Sequence, residues 1–191
     1  MTEPVITVAT LANRERIVSS LVAAFTGDPV LRYLFPDETT YPAYAAAFFG
    51  HLFDKRVGKG AVWTIADGAS VAIWEPPYTD DAPPSDAAWA ASLPADVLDR
   101  VHAYDEAVHK VLPPAPYWYL GVLGTHPDHA GRRWGHAVME AGLRRAAADG
   151  LPAVLETGTA ANVEVYRRAG WEIVDTVSEP LPTWIMRQKP S

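Results

Sequence analysis

Cysteine is absent from the 191 residues, which excludes disulfides and any zinc or iron–sulfur centre held by thiolates. Long apolar runs are missing too; none approaches the roughly 20 residues that a membrane helix needs. Basic charge is in short supply: 16 Lys and Arg stand against 23 Asp and Glu, a formal charge of −7. Such a surface repels polyanions, so neither nucleic acid nor a membrane is an expected partner. The start Met1-Thr2-Glu3-Pro4 has neither the basic nor the apolar region of a secretory leader, and a cytoplasmic location is expected. No Gly-Lys-Ser/Thr occurs in a glycine loop and no GxGxxG is complete, which removes the P-loop and dinucleotide-fold readings.

What is there is a hydrophobic fraction of 49%, enough to fill the core of one domain, 1–191. Residues 5–10 alternate apolar and polar and read as a strand. Asn13 is placed to cap a helix whose apolar positions Ile17, Leu21, Val22 and Phe25 recur at helical spacing. A second helix is expected over 41–57. Residues 61–65 and 69–75 flank Asp67-Gly68, a hairpin signal.

Residues 76–116 differ in character. Pro76-Pro77 and Pro83-Pro84 bracket an acidic stretch expected to be irregular, and a helix is expected from Asp96 to Lys110. This reads as an insertion between two strands, too long for a plain hairpin and expected to line an acceptor side. Its Asp80, Asp81 and Asp86 are candidates to attract a cation.

Order returns in the last third. Residues 117–125 read as a buried strand in which Gly121 and Gly124 signal a bulge or a close backbone approach. A helix over 133–149, a strand over 153–157, a short helix over 162–169 and strands over 171–177 and 184–188 follow. The order makes the chain an α/β (α+β) layer fold with mixed pairing.

One stretch carries chemistry by its residues alone. A glycine-containing loop feeding a helix aims free N–H groups and a positive dipole end at one point, which suits a diphosphate. Here the loop is Ala130-Gly131-Arg132-Arg133-Trp134-Gly135-His136-Ala137, and its two arginines add charge-assisted contacts. His126, His129 and His136 have no further defined ligand nearby, so no metal is expected. Phe25, Tyr33, Phe35, Tyr44, Phe48, Trp74 and Trp118 are candidate pocket aromatics. Those near Tyr33 and Phe35, and Trp74, are the preferred ones.

The segment Val122-Leu123-Gly124-Thr125-His126-Pro127-Asp128-His129, followed by Gly131 and Gly135, resembles the acetyl-CoA segment of the GNAT superfamily. Leu155-Glu156-Thr157, Asn162 and Tyr166-Arg167-Arg168-Ala169-Gly170-Trp171 extend the likeness. Two loop positions depart from the family pattern: Ala130 replaces a Gln or Arg, and Arg133 replaces a glycine. Backbone donors survive both changes.

The resemblance implies a mixed, mainly antiparallel central sheet flanked by helices, with a splayed strand pair for CoA. It implies acetyl-CoA as co-substrate, bound by Leu123, Gly124, Thr125, Gly131, Arg132, Arg133, Trp134, Gly135, His136, Ala137, Asn162 and Tyr166. Leu123 and Thr125 would bond the pantetheine arm, and the Leu123 amide would face the oxyanion. Acetyl transfer to an amine by direct attack in a ternary complex needs a base for the ammonium and an acid for the leaving thiolate. Tyr166 is the candidate acid, a phenol of pKa about 10 facing a thiol of about 8.5. Glu156 is the candidate base, with Glu75 as the other. The partner implied is a small-molecule amine, such as an aminoacyl-nucleoside or another amine-bearing antibiotic, for a monomeric or homodimeric enzyme of resistance or self-protection. Protein N-terminal or lysine acetylation, and a non-catalytic acyl-CoA-binding regulatory module, remain the alternatives.

Overall fold

The computed structural model describes residues 4–77 and 84–191. Along the chain run β1 (Ile6–Val8), α1 (Arg14–Ala24), α2 (Pro29–Leu34), α3 (Tyr41–Val57), β2 (Val62–Ile65) and β3 (Ser70–Glu75). Then come α4 (Pro84–Ala91), α5 (Ala95–His109), β4 (Trp118–Thr125), α6 (Trp134–Ala148), β5 (Ala153–Thr157), α7 (Ala160–Arg168), β6 (Glu172–Val177) and β7 (Thr183–Gln188). The strands form one sheet in the order β1-β2-β3-β4-β5-β7-β6. Only β4 and β5 run parallel; the other neighbours are antiparallel.

Alternation along the strands builds a core on each face. Val71 and Ile73 pack with Ile17, Leu21, Phe49 and Phe53 from α1 and α3. Their neighbours Ala72 and Trp74 pack with Val138 and Met139 of α6. The contact over Trp74 is tight: a Cβ on Gly142 would lie 2.1 Å from the indole Cε2, so only glycine lets α6 come this close.

Asp67-Gly68 does form the hairpin turn, with Asp67 at φ 54° and Gly68 at φ 110° in the left-handed region. Asn13 does not cap α1 with its side chain. Its Oδ1 instead accepts from the Thr10 amide at 2.8 Å, closing the short turn over Leu11–Asn13 before the helix. The segment between Pro76 and Pro116 is more regular than its prolines imply. α4 begins at Pro84 itself, because a proline in the first helical turn loses no hydrogen bond, and alanines carry the helix onward. Residues 78–83, with Asp80 and Asp81, lie outside the described residues.

Candidate active site

The site starts from an irregularity in β4. Opposite the consecutive pair Ile73 and Trp74 stand Val122 and Leu120, so Gly121 is an extra residue, a β-bulge. The side chains record the consequence: Trp118 and Leu120 join the core under α6, whereas Val122 joins the opposite core. The bulge inverts the phase of the strand. Before it, Trp118 turns its amide to β5 and donates to Pro152 O at 2.9 Å. After it, His126 turns its amide back to Ala69 O at 2.8 Å, so by alternation Leu123 and Thr125 face the β5 side.

β5 is no longer there to meet them. Pairing between β4 and β5 covers only Trp118, Tyr119 and Leu120 against Ala153, Val154 and Leu155. Beyond that the strands part, as the resemblance implied, and the peptide edges of Leu123 and Thr125 face a gap. Gly124 faces the other way; a Cβ there would lie 2.7 Å from Leu21 Cδ2 and 2.9 Å from Phe25. Its glycine serves the packing of α1, not an approach by a ligand.

The anion loop continues from the end of this gap, where Gly135 lies beside the Thr125 hydroxyl. Among the described residues nothing accepts from the amides of residues 131–136. The amide of Ala137 is already used, donating to Arg133 O inside α6, so Ala137 adds no donor to a ligand. Arg133 holds φ 60° in the left-handed region, the conformation that a glycine at this position adopts without strain. Arg132 lies over the Trp134 ring at 5.1 Å, and His129 stacks on that ring at 5.1 Å. A run of free amides at a helix N-terminus beside an unpaired strand edge fits a diphosphate and an extended amide-bearing arm. His136 lies 3.7 Å from Glu140, and no group of three or more metal-type side chains occurs among the described residues.

A cavity of about 700 Å³ opens from the gap. Leu120 to Leu123, Leu155 to Gly158, Asn162 and Tyr166 line it, together with Phe48, Trp89, Tyr104, Asp105 and Tyr117. Glu156, Tyr166 and Asn162 are thus brought to one cavity. Burial pushes the Glu156 carboxyl up to about 7; the Asp105 carboxylate adds to the rise, and the phenols of Tyr119 and Tyr104 oppose it. Its Oε2 is buried without a hydrogen-bond partner. Burial likewise pushes the Tyr166 phenol to about 12, helped by the Asp28 carboxylate, so it holds its proton at neutral pH. The ring of Tyr166 is fixed edge-on against Trp171 at 6.0 Å.

Glu75 also reaches the cavity, but its Oε2 accepts from Arg56, an ion pair with a buried guanidinium. Asp86 is engaged as well, by Lys55 Nζ at 3.0 Å and His51 Nε2 at 2.7 Å. The preferred pocket aromatics are corrected. Phe35 and Trp74 are 1% and 0% exposed in the two cores and, like Tyr33, do not line the cavity. Phe25, Phe48, Phe49, Trp89, Tyr104, Tyr117 and Tyr119 do. Phe25 and Phe48 were among the wider candidates; Tyr104, Tyr119, Trp89 and Asp105 were not singled out. Only the expectation that 76–116 lines an acceptor side pointed towards Trp89, Tyr104 and Asp105.

Residues 101–174 match a family model described as an acetyltransferase (GNAT) domain. A solved structure described as a histone acetyltransferase and related acetyltransferase from Corynebacterium glutamicum superposes with a TM-score of 0.74 at 23% identity, over 100% of this chain and 98% of its own. Arylalkylamine N-acetyltransferase 2 from Aedes aegypti superposes at 0.72 with 11% identity, over 100% of both chains. The PaiA N-acetyltransferase from Thermoplasma acidophilum, solved with coenzyme A, superposes at 0.64 with 9% identity, over 98% of this chain and 99% of its own. The matched segment holds β4, the anion loop, α6, β5 and α7, and over its whole length the chain shares the fold of these acetyltransferases.

Proposed function

We propose that this chain, as a single domain with an insertion at 76–116, transfers acetyl from acetyl-CoA to the amine of a small molecule by direct attack in a ternary complex. One observation carries the reading: a single cavity joins the gap between β4 and β5 to an aromatic chamber, with Glu156 and Tyr166 on its wall. Acetyl-CoA supplies the activated acyl group. Amides of residues 131–136 and the charge of Arg132 and Arg133 hold its diphosphate. The edges of Leu123 and Thr125 bond the arm, and Asn162 binds it from α7.

Glu156 takes the proton of the acceptor ammonium. A carboxyl near 7 is ionised in about half of the molecules at neutral pH and is basic enough for the task. The Leu123 amide donates to the oxyanion. Tyr166, still protonated at neutral pH, gives its proton to the leaving thiolate. Glu75 is the weaker candidate base because Arg56 holds it.

The finer identity of the acceptor rests on sequence. Residues 118–189 resemble puromycin N-acetyltransferase, and Ala23-Ala24-Phe25 and Val71-Ala72-Ile73-Trp74 extend that likeness more weakly. This supports an aminoacyl-nucleoside or another amine-bearing antibiotic as acceptor, in resistance or self-protection. The Aedes aegypti neighbour, by its name, acts on arylalkylamines, which supports a small amine more broadly. CoA release should appear with some member of a panel of primary amines, and calorimetry should detect acetyl-CoA binding. Binding without CoA release for any amine would favour a non-catalytic acyl-CoA module.

A further inference from the structure

Two polar atoms in the cavity are left without partners. Tyr104 is 5% exposed, yet its hydroxyl makes no hydrogen bond; the Oε2 of Glu156 is buried and makes none either. Both side chains line the same cavity, and each shifts the titration of the other. The neighbouring Thr183 hydroxyl donates to Leu181 O at 3.2 Å. A buried polar group without a partner costs about 1–3 kcal/mol, and a pair of them in one cavity wall marks where a ligand's donors belong.

Three of the other four described carboxylates around the cavity, Asp28, Glu75 and Asp86, are engaged. Asp86 is held by Lys55 and His51, and Glu75 by Arg56. Asp28 accepts from the amides of Val30 at 2.9 Å and Leu31 at 3.0 Å, capping α2. Asp105 faces the imidazoles of His102 and His109. Glu156 Oε2 is thus a buried carboxylate oxygen open to a cation, whereas Asp105 is exposed. The remaining wall is aromatic: Phe48 and Trp89 lie 5.9 Å apart, and Tyr117 and Tyr119 lie 6.4 Å apart.

Resting on the acetyl-transfer reading above, we propose that Glu156 and Tyr104 form a single-cation subsite. It selects acceptors with a primary ammonium on an aromatic body over aliphatic diamines, which have no ring to pack on the aromatic wall. The ammonium donates to Glu156 Oε2 and to the Tyr104 oxygen, while the ring packs against Phe48 and Trp89. Tyr104 comes from α5, so the insertion between β3 and β4 sets the acceptor's class.

The test compares 2-phenylethylamine with putrescine, and wild type with Tyr104→Phe. At pH 8, kcat/KM for 2-phenylethylamine should exceed that for putrescine by about tenfold or more. Tyr104→Phe should raise the KM for 2-phenylethylamine by about tenfold and leave the KM for acetyl-CoA within about twofold. Without amine its Tm should not fall, because the free protein loses no hydrogen bond; a merely structural hydroxyl would lower Tm and leave the amine's KM alone. A preference for putrescine, or an unchanged KM for 2-phenylethylamine in the variant, overturns the subsite while leaving acetyl transfer intact. Calorimetric binding of 2-phenylethylamine to the CoA-bound protein, lost in Tyr104→Phe but without acetyl transfer, supports the subsite and overturns the reaction.

Discussion

The loop ahead of α6 and the chamber lined by α5 offer a ligand opposite kinds of contact. The loop keeps its donors on consecutive residues, 131–136, and they are backbone amides. The chamber gathers side chains from far apart in the chain: Phe48, Trp89, Tyr104, Tyr119, Glu156 and Tyr166. Amides are indifferent to the side chain that accompanies them, so Ala130 and Arg133 can replace the usual residues and leave the anion site standing. The chamber has no such tolerance, because each wall residue is itself the contact. In such an enzyme, cofactor binding should survive sequence drift that acceptor choice does not.

Variants at the junction of the two regions should have the largest effect. Tyr166→Phe should lower kcat by roughly 10²–10⁴-fold with the KM for acetyl-CoA little changed, in an assay where chemistry limits the rate. Near-normal kcat would make Tyr166 a packing residue held against Trp171. An acceptor whose amine is already neutral should not rescue the variant, since the lost step protonates sulfur.

Glu156→Gln should lower kcat/KM by about 10²-fold at pH 8 and abolish the fall in wild-type kcat/KM below about pH 7. Its stability effect has the opposite sign. The folded carboxyl titrates above its ordinary value, so its favourable contribution is complete below that value and is lost as pH rises through about 7. Thermal unfolding should therefore find Glu156→Gln more stable than wild type at pH 8 and close to it at pH 4. A variant less stable at both would mean that the carboxylate is satisfied in the folded state.

A paired experiment separates the regions directly. Trp89→Ala should raise the acceptor's KM roughly 5–10-fold and leave that of acetyl-CoA alone, while Arg132→Ala should do the reverse by roughly 3–10-fold. Equal effects of either variant on both substrates would dissolve the distinction. The smallest effect is expected from Arg133→Gly. It should stabilise the protein by about 1 kcal/mol in urea unfolding, by releasing the left-handed residue from strain, with the Kd for acetyl-CoA within about threefold. A much larger loss of affinity would show that the guanidinium, not the amides, carries the site.

Much of the scaffold was legible because its signals are local. The periodicity of 41–57, the Asp67-Gly68 turn and the strands of the last third each express φ/ψ preference and alternation within a few residues. The bulge was half legible. Gly121 and Gly124 both signalled an irregularity, but only pairing with Ile73 and Trp74 distinguishes the bulge at one from close packing by Leu21 at the other. α4 was hidden by prolines, since a proline reads as a breaker unless it stands in a first turn.

The sequence by itself determined most of the strands and helices, α2 and α4 excepted, and where a run of free amides would lie. Both follow from neighbours in the chain. It also named Glu156 and Tyr166 as chemistry-bearing residues by their motif. The tertiary structure alone decided that Glu156 Oε2 is left without a partner while Glu75 is held by Arg56, and that Phe35 and Trp74 are core while Trp89 and Tyr104 are wall. The reason is that pairing and burial belong to contacts between residues as far apart as Tyr104 and Glu156. Alternation and helical spacing carry no information about which elements those contacts will join.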